Sequence, residues 1–71
     1  MKKQNEWINV KNVIPEKYKS VIIYTTKKCI TLGIFDGEDW ISENDERIEQ
    51  WNIGKVTHWM PLPQPPIDKP N

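Results

Sequence analysis

Two side chains have the chemistry for covalent work as a pair: Cys29 as a nucleophile and His58 as its base. Such a pair needs a third group to orient the imidazole and an electropositive, partly exposed setting for the thiol. Nothing in the spacing of this chain supplies either. Cys29, heading an apolar run, reads instead as a small packed residue. His58 lies between Thr57 and Trp59 and reads as a structural donor and acceptor that holds a neighbouring loop, with contact to a ligand as the alternative. No residue is assigned a catalytic role, no enzyme activity is expected, and a hydrolase is the least favoured of the functional readings.

The acidic run Asp36, Glu38, Asp39, Glu43, Asp45 and Glu46 lacks the alternating Asp/Asn and closing Glu of a calcium loop, so it reads as a solvated rim. A single Cys cannot close an intrachain disulfide, and one Cys with one His cannot supply the four ligands of structural zinc. Neither a metal nor a cofactor is expected. The three glycines, Gly33, Gly37 and Gly54, are too widely spaced for a phosphate cradle.

Aromatic side chains carry more information. A chain of 71 residues buries only roughly 60% of its unfolded surface, which leaves a marginal core. Large side chains or oligomerisation must then supplement it. Among the four tryptophans, Trp7 and Trp59 sit in apolar neighbourhoods and are assigned to the core. Trp40 and Trp51 flank the acidic loop and are expected to be half-covered. With Lys27, Lys28 and His58 they form the candidate binding set, since partly exposed aromatics suit a protein partner or a stacked base.

Formal net charge is zero, so nucleic acid is an unfavoured partner. The charges are nevertheless unevenly placed. Residues 1–28 carry seven Lys against two Glu, residues 29–54 one Arg against seven acids, and residues 55–71 two Lys against Asp68. The two halves either neutralise each other within one molecule or meet between copies, giving a homo-oligomer that salt would weaken. No apolar run reaches the ~18 residues of a membrane span, and no hydrophobic stretch follows MKKQNEW, so a cytoplasmic location without membrane contact is expected. The lone free Cys fits a reducing compartment.

The elements that must position these residues are mostly strands. SVIIYTT (20–26) holds five β-branched residues and one aromatic, the composition of a strand. After Lys27-Lys28, CITLGIFD (29–36) alternates, with Ile30, Leu32 and Ile34 predicted as the core row beside Val21 and Ile23. Asp36-Gly37 predicts a tight hairpin, and a two-residue loop there would set Gly33 opposite Trp40, with the indole over bare backbone. EDWIS (38–42) is the third strand. VTHWM (56–60) is the last, stopped by Pro61. Short helical turns are expected at most near 15–19, after Pro15, or 47–52.

The result is a mainly β single domain over 1–71: a flexible leader (1–6), a β core (7–60) built as a small antiparallel meander of three to four strands with an N-terminal arm, and a Pro-rich tail (61–71). Pro61, Pro63, Pro65 and Pro66 favour an extended polyproline form, expected to lie on its own domain near Trp7.

Taken together, WINVKNVIPE (7–16), VIIY (21–24), FDGEDW (35–40) and THWMPLPQPP (57–66) resemble the small phage- and prophage-associated family catalogued as domain of unknown function 551. The Thr57–Pro63 string is the specific part of the resemblance. The chain departs from that pattern at EKYKS (16–20), where the family has a glycine-containing turn, and in the acidic 43–55 segment. The resemblance implies a protein of viral or prophage origin acting in a bacterial cytoplasm, and implies no biochemical activity. Its expected role is contact with a host or phage protein. The alternative is a small nucleotide ligand, a host signalling nucleotide that the chain sequesters.

Overall fold

The computed structural model describes residues 6–63. Five strands, β1 (Ile8–Asn9), β2 (Ser20–Thr25), β3 (Ile30–Phe35), β4 (Trp40–Ile41) and β5 (Val56–Pro61), form one antiparallel sheet in the order β1-β5-β2-β3-β4. The mainly β, antiparallel class is the one expected. β2, β3 and β4 follow one another as hairpins. β5 then returns to the far side of β2, and the arm of residues 8–9 adds outside it. All but Glu6 of the leader expected over 1–6, and the tail expected over 61–71 from Gln64 onward, with its packing near Trp7, lie outside the described residues.

Period-two alternation sets the two faces of the sheet. Along β2, Val21, Ile23 and Thr25 are buried while Ser20, Ile22 and Tyr24 are only partly covered. Pairing carries this division across the sheet: Ile23 stands opposite Thr31 on β3 and Trp59 on β5, and Val21 stands opposite Gly33. Val21, Ile23, Ile48 and Trp59 make the core, and Ile8, Val10, Trp40, Ile53 and Val56 pack against it. Trp59 also ties down the N-terminal arm, its Nε1 donating to the Val13 carbonyl at 2.8 Å.

One irregularity makes the last strand work. Val56 and Trp59 are three residues apart and would point to opposite faces of a regular strand. The register steps from Tyr24↔His58 to Thr25↔Val56, so Thr57 is the extra residue of a bulge and both apolar side chains reach the core. The Thr57 hydroxyl donates to the Tyr24 carbonyl across the bulge at 3.2 Å.

Three expectations are corrected. The core row of β3 is Gly33 with its partly covered neighbours Thr31 and Phe35; Ile30 (62% exposed) and Leu32 (41%) lie on the opposite face, as does Ile34, which is only half-buried. Ile30, Leu32 and Ile34 are the more apolar row, so alternation alone points to the wrong face. Glycine decides it. A β-carbon added at Gly33 would sit 3.0 Å from Ile23 Cδ1 and 3.3 Å from Ile48 Cδ1. The bare backbone is therefore covered by Ile48 and not by Trp40.

The loop at Asp36-Gly37 is longer than two residues, which gives the register Phe35↔Trp40 and Ile34↔Ile41 in place of Gly33 opposite Trp40. Asp36 Oδ1 accepts the amides of Glu38 (2.9 Å) and Asp39 (2.7 Å), and that Asx-turn extends the loop. Those N–H groups hold the Asp36 carboxyl below its ordinary value, Asp39 contributing most.

Trp7, finally, is 37% exposed and outside the core, its ring 5.6 Å from that of Tyr24. Of the two windows where at most a short helical turn is expected, 15–19 holds none. Tyr18 takes φ 61° and its amide donates to the Phe35 carbonyl at 2.8 Å, which fixes the segment as a turn against the end of β3. A single 3₁₀ turn occurs at Ile48–Trp51, within the second expected window.

Candidate functional site

A cleft of about 570 Å³ opens beside the core on the covered face of the sheet. Trp40, Ile48 and Val56 form its apolar wall, and charged side chains of both signs surround it: Lys27 and Lys55 as cations, Glu38, Asp39 and Glu49 as anions. They arrive from separate segments of the chain. Trp40 begins β4 directly after the Asx-turn and leans on Phe35 with ring centroids 5.3 Å apart. Ile48 and Glu49 come from the 3₁₀ turn, where Ile48 faces inward and Glu49 outward.

The cationic end rests on two threonines. Thr25 is buried, and its hydroxyl donates to the Ile53 carbonyl while accepting the Cys29 amide at 3.2 Å. Thr26 pairs with Lys55 through both backbone and side chain: its amide donates to the Lys55 carbonyl (2.9 Å) and its hydroxyl accepts the Lys55 amide (3.1 Å). Gly54, at φ 97°, lets the chain pass this point, since a β-carbon there would strike the Thr26 hydroxyl and come within 2.9 Å of the Lys27 nitrogen. The Lys27 ammonium donates to the Asn52 carbonyl at 3.2 Å, close to that residue's side-chain oxygen at 3.5 Å. It is thus positioned while still exposed.

At the anionic end Asp39 lies 3.9 Å from the Arg47 guanidinium, an exposed pair that holds orientation more than it stabilises. Ser42 organises the acidic loop beyond it. Buried itself, its hydroxyl accepts the amides of Asn44 (3.1 Å) and Glu46 (3.2 Å), and its amide donates to the Glu46 carbonyl at 2.8 Å.

Of the candidate binding residues, the structure brings Trp40 and Lys27 together in this cleft and leaves the others apart. Trp51 is exposed, its indole N–H donating to Glu46 at 3.2 Å. Lys28 is an exposed turn residue at φ 65°. His58 lies on the opposite face, with Nδ1 2.8 Å from the Thr57 hydroxyl. Cys29 Sγ approaches the Lys27 carbonyl at 3.9 Å, a different partner from that of the imidazole. Glu38 and Asp39 are read from the sequence only as part of an acidic rim, and Lys55 and Glu49 are not singled out there. Lys55 reaches the cleft through the return of β5 and Glu49 through the 3₁₀ turn, which no local pattern announces.

Compared with protein families, the chain matches the model of the family described as protein of unknown function (DUF551) over residues 6–67. The chain belongs to this family. The DUF551 match runs from before β1 to beyond β5, so it takes in every strand and every residue of the cleft. No curated protein and no solved structure matches the chain. Among the described residues no helix is long and apolar enough to cross a membrane.

Proposed function

We propose that this DUF551 chain is a non-enzymatic binding protein of phage or prophage origin that contacts a host or phage protein in the bacterial cytoplasm, using the cleft around Trp40. The observation that carries this reading is the cleft's mixed character, an indole and two aliphatic side chains between Lys27 and Lys55 on one side and Glu38, Asp39 and Glu49 on the other. An aromatic anchor ringed by charges of both signs matches a protein segment that carries both charges, and excess negative charge on a ligand would meet three carboxylates.

A second reading, sequestration of a signalling nucleotide, draws on the same residues: Trp40 as a stacking surface and the two ammonium groups for phosphate. Two experiments separate them. Lys27→Glu with Lys55→Glu changes exposed side chains only and leaves the core intact. The first reading predicts that a partner captured from host cytosol by the wild-type chain is lost with this double variant, and that no cyclic nucleotide raises Tm. A nucleotide that raises Tm in the wild type and not in the variant transfers the cleft to the second reading. Capture unaffected by the charge reversal removes the cleft from the function altogether.

A further inference from the structure

The face of the sheet opposite the cleft is apolar and has no second layer among the described residues. Strand pairing places Ile22 beside Leu32 and Met60, Tyr24 beside Ile30 and His58, and Ile34 beside Ile41 on this one surface. Ile30 and Leu32 are exposed and the rest only partly covered. Trp7 extends it over Tyr24. No strand position on this face holds Lys, Arg, Asp or Glu; charge enters only at its rim, where Arg47 bridges to Ile41 and Glu43 accepts the Ser20 hydroxyl at 3.3 Å.

We propose that two copies of this chain stack outer face on outer face, forming a two-layered β-sandwich with a shared apolar core. Three observations select a second copy as the occupant. In a twofold interface a residue near the axis meets its own counterpart, so a charged face repels itself and a face without carboxylates or ammonium groups does not. The chain carries ten Lys and Arg against ten Asp and Glu, yet none of them occupies a strand position on this face. The core within one chain rests on four buried apolar residues, Val21, Ile23, Ile48 and Trp59, among those described, and oligomerisation is a standard supplement for a domain of this size.

The area fits a weak, reversible dimer. Three six-residue strands about 4.8 Å apart and about 20 Å long, with the two-residue β4 beside them, present roughly 300 Å² in projection, so two faces bury on the order of 800 Å² once side-chain relief is included, the range of weak, transient contacts. Burial of apolar surface drives this pairing, and high salt therefore leaves it intact or strengthens it. The charge-split assembly expected from the sequence would respond in the opposite sense.

Sedimentation velocity on the full chain tests the pairing, from roughly millimolar down to low micromolar concentration and at low and high salt. The expected result is a dimer that dissociates on dilution, persists in high salt, and becomes a monomer with an unchanged circular dichroism spectrum in Ile30→Glu and in Leu32→Glu. The Lys27→Glu, Lys55→Glu variant remains a dimer, so loss of cleft function and loss of pairing are read separately. A wild-type monomer at every concentration overturns the proposal. So does a dimer that survives both outer-face substitutions. A monomer whose Tm falls in Leu32→Glu would also overturn it, assigning the face to a segment of the same chain.

Discussion

The two faces of the sheet are built from equally apolar strands and end in different conditions. On the inner face Ile23, Val21 and Trp59 are closed over by Ile48, which descends onto Gly33 from an otherwise acidic and polar loop. On the outer face Ile22, Leu32 and Met60 stand in the same strands, paired with one another, and nothing in the described chain closes over them. Strands apolar on both sides are characteristic of sheets covered on both sides. One isoleucine arriving over one glycine is the difference between a finished layer and an unfinished one.

Removing the cover should have the largest effect. Ile48→Ala leaves a cavity over Gly33 in a small core, and a loss of about 2–5 kcal/mol is expected from urea unfolding, enough to leave the domain largely unfolded at 37 °C. The support of that cover comes next: Gly54→Ala forces a side chain into a positive-φ position against Thr26 and Lys27, and about 1–3 kcal/mol should be lost by the same measurement. Thr25→Val removes the hydroxyl that serves the Ile53 carbonyl and the Cys29 amide, with an expected cost of about 1–3 kcal/mol and faster amide exchange at Cys29.

On the outer face the effect should be small. Leu32→Ala, measured at low micromolar concentration where the chain is monomeric, should cost less than about 1 kcal/mol, because its side chain is already partly in water. A cost equal to that of Ile48→Ala would erase the distinction between the faces. The smallest effect concerns the Asx-turn. Asp36 has a folded pKa below the 3.8 of an ordinary aspartate, so its contribution is present above that value and is lost as pH falls through the lower folded value. Asp36→Asn should flatten that acid limb in a pH series of thermal unfolding curves and change little at pH 7.

β2, β3 and β5 were legible in the sequence because β-branched and aromatic residues crowd Ser20–Thr25 and their partners, a composition that suits a pleated surface. The inner face of β3 was not, since Ile30, Leu32 and Ile34 offer a stronger apolar row than Thr31, Gly33 and Phe35. The available signal was Gly33: a strand glycine marks close approach by another element, and Ile48 is the lone apolar residue in the stretch ENDERIEQ. Trp40 and Lys27 could be singled out by residue type. Their meeting with Lys55 and Glu49 depended on β5 crossing to β2 and on the fold of residues 42–54, where amide hydrogen bonds to the Ser42 hydroxyl, and not periodicity, set the path.

The central claim is that the sheet has one face closed by its own chain and one completed by a second copy. Isotope-filtered NOE spectroscopy on a mixture of labelled and unlabelled chains at high concentration tests it most directly. The account predicts intermolecular contacts among the methyl groups of Ile22, Ile30, Leu32 and Met60, and none to Val21 or Ile48. Intermolecular contacts confined to the cleft side, or none at any concentration, would contradict it.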